Sequence, residues 1–96
     1  MEYKIKKKKY TEKKVLELLK KEPFLIKYIK NPTYEMERIA IITNGFAIRF
    51  LKKQTKELQK LAVIQSHVII NYLIDHDDEI LEMAKRAHGK YLCLYD

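Results

Sequence analysis

The chain repeats one 22-residue unit three times without a gap. The copies span residues 23–44, 45–66 and 67–88, and three of their columns are identical. These columns hold Ile26, Ile48 and Ile70; Glu35, Glu57 and Glu79; and Ala40, Ala62 and Ala84. A fourth column is always aromatic and holds Tyr28, Phe50 and Tyr72. Such self-similarity is typical of a stacked repeat array, because one short unit cannot bury its apolar face alone.

Each copy divides into two short helical patterns joined by a polar turn. In the first half of the first copy, Leu25, Ile26 and Ile29 fall on one side of a helix, and the polar arc is narrow. This helix is therefore predicted to be mostly buried. The proline of the turn 31–33 then ends it. In the second half, the predicted buried face is formed by Met36, Ile39, Ala40 and Ile42, and in the next copy by Leu58, Leu61, Ala62 and Ile64.

Polar residues mark the start of each second helix. Thr33, Thr55 and Asp77 stand at the N-cap position, where a side-chain oxygen accepts a hydrogen bond from the first turn. The identical glutamates follow in that first turn, where the helix dipole stabilises a carboxylate, so we assign them a capping role and no catalytic one. The residues placed to cap the next first helix are Asn44, Ser66 and His88.

These patterns predict an all-α fold, a short α-solenoid of stacked two-helix hairpins with a 22-residue repeat. A length of 96 residues is enough for one domain, 1–96, with a single modest core. The handedness of the solenoid does not follow from the pattern.

The two ends are predicted to differ from the full copies, as terminal caps do in repeat arrays. Residues 1–22 form a basic arm and a degenerate cap helix that Thr11 begins. Residues 1–10 are either a frayed arm or a poor helix that uses Tyr3, Ile5 and Tyr10. Residues 89–96 form a truncated cap: a new first helix begins at Gly89 and stops. The side chains predicted to fold back over the preceding hairpin are Tyr91, Leu92, Leu94 and Tyr95.

The segment IKYIKNPTYEMERIAIITNGFAIRF resembles the short tandem helical repeats of bacterial and phage proteins grouped as a domain of unknown function. The resemblance covers residues 23–88 and rests on Asn31, Pro32, Thr33, Glu35, Ala40, Asn44 and Gly45. The third copy departs from the pattern at the turn 75–77 and at His67, where glycine is usual. The resemblance implies an all-helical array without known catalytic residues. Its phage setting implies a small effector or inhibitor of a host complex.

No constellation in the sequence indicates catalysis, a cofactor or a metal. The polar cluster 75–78 has no further ligand at a diagnostic spacing, so a solvated capping turn explains it. Cys93 lies among tyrosines and leucines without an activating neighbour, which favours a small buried side chain over a nucleophile. The two glycines are isolated at helix junctions and form no phosphate-binding loop. We expect a chain that is not an enzyme.

The sequence predicts a cytoplasmic protein with no membrane partner. A single cysteine excludes an internal disulfide and fits a reducing compartment. The basic N-terminus is followed by an amphipathic, charged segment, whereas a signal peptide would continue with an apolar one. The longest apolar run, 61–74, is interrupted by polar residues and is too short to span a bilayer.

The net charge of +7 is distributed as a gradient along the chain. Residues 1–30 carry a net charge of +7, residues 31–60 carry +3, and residues 61–96 carry −3. A stack of copies would therefore have a basic end and an acidic end, and its field would attract anionic partners to the basic end.

Stacking would align equivalent basic residues into stripes. Lys27 would lie over Arg49 and Lys30 over Lys52, while Arg38, Lys56 and Lys60 would form a second stripe that turns acidic in the third copy. The candidate partner-binding residues are Lys6, Lys7, Lys8, Lys9, Lys13, Lys14, Lys27, Lys30, Arg38, Arg49, Lys52, Lys53, Lys56 and Lys60.

Three functions remain open at this point. The leading hypothesis is a protein–protein interaction module, or a phage-type inhibitor, that docks on an acidic or nucleic-acid-binding surface of a larger complex. The alternative is nucleic-acid binding through residues 6–14 with Tyr3 and Tyr10 interleaved, although the aromatic column reads as core. The third is head-to-tail self-assembly of basic and acidic ends. The oligomeric state does not follow from the sequence.

Overall fold

A computed structural model describes the backbone of residues 2–92 and the side chains of residues 2–87. It contains strands β1 (Glu2–Ile5) and β2 (Lys8–Thr11) and helices α1 (Glu12–Lys21), α2 (Tyr34–Thr43), α3 (Lys56–Val63) and α4 (Asp78–Leu92). Three 3₁₀ helices span Pro23–Tyr28, Gly45–Phe50 and His67–Tyr72. The interpretation of Cys93 and the fold-back of the terminal tyrosines and leucines concern side chains outside the described residues.

The described chain is mostly helical, but the expectation of an all-α fold is wrong at its N-terminus. Residues 2–11 form neither a frayed arm nor a helix but an antiparallel hairpin in which Tyr3 pairs with Tyr10 and Ile5 with Lys8. Tyr3, Ile5 and Tyr10 lie on the inner face, and Ile5 is buried. The apolar residues there recur with period two, and that periodicity belongs to a strand.

The hairpin turn consists of two lysines in an unfavourable backbone conformation. Lys6 has a φ of 48° and Lys7 a φ of 72°, in the left-handed region that glycine and asparagine tolerate best. A Lys-Lys pair gives no sequence signal for such a turn, which explains why the hairpin was not predicted.

The first half of each copy is a 3₁₀ helix of six residues, tighter than the helix that the spacing indicated. Pro23 occupies its first turn in the first copy, and extended residues at 29, 51 and 73 end the three segments. Ile26 and Ile48 of the identical column are buried, while in the third copy Ile69 is more deeply buried than Ile70. Six residues make two 3₁₀ turns, which bury only part of each segment.

The predicted N-caps of the second helices are confirmed. The oxygens of Thr33, Thr55 and Asp77 accept hydrogen bonds from backbone N–H groups three residues ahead, over 3.2, 3.2 and 3.0 Å. Thr11 caps α1 in the same way over 3.3 Å. All three identical glutamates lie in first turns, as expected.

The predicted caps of the first halves are only partly present. Asn44 Oδ1 accepts from Phe46 N over 3.0 Å, whereas the Ser66 side chain caps nothing. Helix α4 continues through His88 to Leu92, so no new helix begins at Gly89.

The buried face of the second helices is rotated from the predicted one. Ile41 and Val63 are fully buried, whereas Ile42 and Ile64 are 48% and 59% exposed. Helix α2 contacts the 3₁₀ helices before and after it as well as α1 and α3. The side chains of α2 that are buried therefore depend on contacts with four elements, and not only on contacts within one hairpin.

The elements pack in two layers. Each 3₁₀ helix contacts the next 3₁₀ helix, each α-helix contacts the next α-helix, and β1 contacts the first 3₁₀ helix. The molecule is elongated, with extents of 52 × 24 × 17 Å. Within the described residues, no helix combines the length and apolar character needed to cross a membrane.

Gly45 is the first residue of the second copy, and it packs against the second and third copies without room for a side chain. A Cβ there would stand 2.8 Å from Ile69 Cδ1 and 3.0 Å from Ala62 O. We expect Gly45→Ala to lower the free energy of unfolding by about 1–3 kcal/mol, since overpacking shifts neighbours. Urea denaturation measures this free energy. The control is Ser66→Ala, which we expect to change it by less than about 0.5 kcal/mol. Equal stabilities of the two variants would contradict this packing.

The backbone of Lys7 gives a second prediction. Its φ of 72° is unfavourable for a residue that has a side chain. We expect Lys7→Gly to raise the free energy of unfolding by about 1 kcal/mol by relieving this strain. Lys9→Gly, in the regular part of β2, should lower it instead. Thermal denaturation of both variants beside the parent chain checks the signs, and a Lys7→Gly variant less stable than the parent would refute the turn.

Candidate binding surface

Two members of the aromatic column lie at the surface, so the interpretation as core is wrong for Tyr28 and Tyr72, which are 44% and 39% exposed. Phe50 is half-buried and packs against the core. In the first 3₁₀ helix, three residues per turn place residue 28 above residue 25, which is itself only partly buried.

Cationic side chains cover the faces of these rings. Lys6 Nζ and Lys27 Nζ each lie 5.0 Å from the centre of the Tyr28 ring. Lys27 also lies 5.3 Å from the Phe50 ring, and Arg49 Cζ lies 5.1 Å from it. Arg49 in turn covers Tyr72 at 5.4 Å. We call this alternating row the ladder, and its members are Lys6, Tyr28, Lys27, Phe50, Arg49 and Tyr72.

The edges of two ladder rings are packed as well. Phe24 meets Phe50 edge to face with centroids 5.4 Å apart, and Phe46 meets Tyr72 at 5.8 Å. Each such aromatic pair and each exposed cation–ring contact contributes about 0.5–1 kcal/mol. The rings thus hold the cations in a row across all three copies.

A basic cleft of 320 Å³ opens beside the ladder, between the first and second copies. Its lining includes Lys27, Lys30, Lys52 and Lys53, four of the candidate binding residues. It also includes Glu37, and burial raises the pKa of that carboxyl. The sequence predicted three of these lysines, Lys27, Lys30 and Lys52, as members of a stripe, and the structure places them with Lys53 around one concave site.

The second predicted stripe is largely engaged within the molecule. Lys56 pairs with Asp77 over 2.9 Å and with Glu79, and Lys60 pairs with Glu79 over 3.0 Å. The hydrogen bonds to the carboxylates raise the pKa of Lys56 to about 12, and the Lys56 ammonium lowers the pKa of both carboxyls. Arg38 is exposed and pairs with no carboxylate of residues 2–87.

Two of the three identical glutamates, Glu57 and Glu79, join neighbouring copies. Tyr34 Oη donates a hydrogen bond of 2.6 Å to Glu57 Oε2, which raises the pKa of Tyr34. One copy later, Lys56 contacts Glu79. In both cases the residue after the N-cap bonds to the glutamate of the following copy. The regular spacing of 23 residues, one more than the repeat, was the sequence signal for this role.

The remaining candidate lysines lie on the hairpin and α1. Lys7 is exposed at the turn, Lys8 and Lys9 are exposed on β2, and Lys13 and Lys14 are exposed at the start of α1. Lys14 lies 3.8 Å from Glu17. Only Lys6 of the N-terminal group reaches the ladder.

Within the described part of the chain, no three His, Cys, Asp or Glu side chains are placed together as metal ligands. Comparison of the chain with protein-family models, with curated proteins and with solved structures finds no match. The resemblance to bacterial and phage repeats stays a hypothesis, and function has to be argued from the surface itself.

The ion pairs around Lys56 make the free energy of unfolding depend on pH in the acidic range. Asp77 and Glu79 have folded pKa values below their ordinary values of 3.8 and 4.5. Their contribution is present above those ordinary values and is lost as pH falls through the folded ones. We expect Lys56→Met to reduce the loss of stability on acidification, measured by urea midpoints from neutral pH downward.

The matched control is Lys13→Met, because Lys13 is exposed and pairs with no described carboxylate. Its acid dependence should equal that of the parent chain. Added salt should shrink the difference between the two variants, since all three charged groups are exposed. An identical acid dependence in both variants at low salt would rule out the ion pairs.

Proposed function

We propose that the chain is a non-catalytic helical-repeat module that docks through the ladder and the adjacent cleft on the acidic surface of a protein partner. The observation that carries this proposal is the row of Lys6, Lys27 and Arg49, each held on an aromatic ring. Such a row presents positive charge at regular intervals, because each pair of neighbouring cations is separated by one ring.

The ladder favours binding because its cations are ordered before a partner arrives. A free lysine or arginine loses side-chain entropy when it is immobilised at an interface, at about 0.5–1.5 kcal/mol for each side chain. Stacking on rings and packing of the ring edges reduce that loss. Arginine and aromatic residues are also the types enriched at protein interfaces.

The ring faces distinguish a protein partner from a nucleic acid. Single-stranded nucleic acids bind by stacking bases on exposed aromatic faces. In the ladder, two cations lie over the ring of Tyr28 and two lie over the ring of Phe50. Carboxylates need only the outer sides of these cations, whereas bases would have to displace them. We therefore place an acidic protein surface ahead of nucleic acid.

Head-to-tail assembly has less support than it had from charge alone. Asp77 and Glu79, which would supply part of the acidic end, are already paired with lysines of the second copy.

We also propose that the alternation of 3₁₀ and α layers is a short α-solenoid, that the protein works in the cytoplasm, and that it belongs with small phage-type effectors. The alternation of layers supports the solenoid. The single cysteine supports the cytoplasm, and the sequence resemblance supports a phage-type effector.

Charge reversal tests the ladder. We expect the double variant Lys27→Glu and Arg49→Glu to weaken binding of a fluorescein-labelled oligoglutamate peptide by at least about tenfold, because like charges then face the peptide. The control Lys13→Glu and Lys14→Glu changes net charge equally on α1 and should have less than about a threefold effect. Fluorescence anisotropy at two salt concentrations measures both.

A single-stranded oligonucleotide serves as the competing ligand. The proposal is wrong if the control variant weakens peptide binding as much as the ladder variant. It is also wrong if the oligonucleotide binds more tightly than the peptide at physiological salt and loses affinity when Tyr28→Ala and Tyr72→Ala are introduced. That outcome would assign the surface to base stacking.

A further inference from the structure

The cleft between the first and second copies lies where the next junction is filled by glutamine. Between the second and third copies, Gln54 Nε2 donates to Ile48 O over 3.0 Å and to Tyr72 O over 3.3 Å. Its Oε1 accepts from Ile74 N over 2.9 Å. One carboxamide therefore satisfies two carbonyls and one N–H group across that junction.

A second glutamine holds the first in place. Gln59 Nε2 donates to Gln54 Oε1 over 3.3 Å and also to the carbonyl of Asp75. Gln59 is only 5% exposed, so its amide belongs to the interior of the junction. The two side chains together close the space between the second and third copies.

The first junction has the same succession of 3₁₀ helix, connecting residues and α-helix, but neither glutamine. At the repeat offset of 22 residues, Pro32 stands in place of Gln54 and Glu37 in place of Gln59. The proline side chain has no polar group that could fill the site. Both residues line the open cleft.

The backbone groups that an amide would satisfy are present in the cleft. The equivalents of Ile48 O, Tyr72 O and Ile74 N are the carbonyls of Ile26 and Phe50 and the N–H group of Lys52, and all three residues line the space. The Phe50 carbonyl and the Lys52 N–H group bond to no group of residues 2–87. Ile26 O accepts one bond, from Ile29 N over 3.2 Å, and has a second lone pair.

Glu37 lines the cleft at the position that Gln59 holds in the next copy. Its carboxylate oxygens can accept hydrogen bonds from an amide nitrogen, as the carbonyls of Ile26 and Phe50 can. The residues around the cleft therefore offer acceptors for an amide nitrogen and one donor, the Lys52 N–H group, for its oxygen.

We propose that this cleft binds a side-chain carboxamide, Gln or Asn, from an acidic segment of the protein partner. The carboxamide takes the place that Gln54 occupies at the next junction, and neighbouring carboxylates meet the lysines at positions 27, 30, 52 and 53. The site rests on the proposed function, because the ladder beside it brings the acidic segment to the surface. The cleft adds sequence selectivity to a surface that otherwise recognises charge alone.

Peptides that differ at one position test the inference. We expect an oligoglutamate peptide with a central Gln to bind the parent chain about tenfold more tightly than the same peptide with a central Ala, since it adds several hydrogen bonds. In ¹⁵N-resolved NMR, the Gln peptide should move the Lys52 amide resonance downfield, and the Ala peptide should leave it near its free position.

A variant with a filled cleft, called the blocked variant, can be made by copying residues of the second junction into the first. Pro32→Gln with Glu37→Gln installs in the first junction the two glutamines of the second. We expect this variant to bind both peptides with the affinity that the parent chain shows for the Ala peptide. Pro32→Ala removes the proline without adding an amide, so it should keep the tenfold preference. Thermal denaturation verifies that each variant folds, and the peptide comparison on the parent chain needs no variant.

The outcomes separate the cleft from the ladder. Equal affinity of the parent chain for the Gln and Ala peptides overturns the carboxamide site, while oligoglutamate binding that depends on the ladder would still support the proposed function. A blocked variant that retains the full preference also overturns the site. If the parent chain binds the Gln and Ala peptides equally and the charge-reversed ladder variant binds neither, the surface recognises charge alone and the carboxamide site is excluded. A mononucleotide that displaces the Gln peptide and shifts the Lys52 amide more strongly assigns the cleft to a base edge instead.

Discussion

The structure depends on burial of apolar surface between copies, because a unit of two short helices has no interior of its own. Ala40 and Ala62 are fully buried, and small side chains at these columns let neighbouring helices approach closely. Gly45 extends the same requirement to the contact between the second and third copies, where Ile69 and Ala62 leave no space for a Cβ. Once the copies are held this close, equivalent side chains must meet. Tyr34 then reaches Glu57, and the cations reach the neighbouring rings.

The same repetition that builds the core also makes the differences between copies visible at their junctions. A glutamine, a proline or an acid at one column changes a junction without changing the backbone around it. The second junction is closed by Gln54 and Gln59, and the first, with Pro32 and Glu37, is open. Ion pairs engage Lys56 and Lys60 with acidic residues of the third copy, whereas the ladder and the cleft gather basic side chains in addition to the exposed lysines of the hairpin and α1.

The features that the sequence predicted correctly are local ones. Thr33, Thr55 and Asp77 cap their helices because an N-cap needs only the next turn of chain. The features that the sequence did not predict depend on neighbouring elements. Ile41 is buried in place of Ile42 because four elements pack on α2, and Tyr28 at the end of a 3₁₀ helix remains exposed. The candidate lysines were identified by residue type, but their division into a cationic row, a cleft and ion pairs required the three-dimensional contacts.

The hairpin has a consequence for how far such a stack can grow. Strand β1 lies against the first 3₁₀ helix, in the position that another 3₁₀ helix would occupy if a further copy preceded the first. Beyond it, β2 presents exposed lysines, and charged side chains on an edge strand discourage pairing with a strand of another molecule. The element that departs from the repeat therefore covers one end of the first 3₁₀ helix and presents a charged edge strand to the solvent.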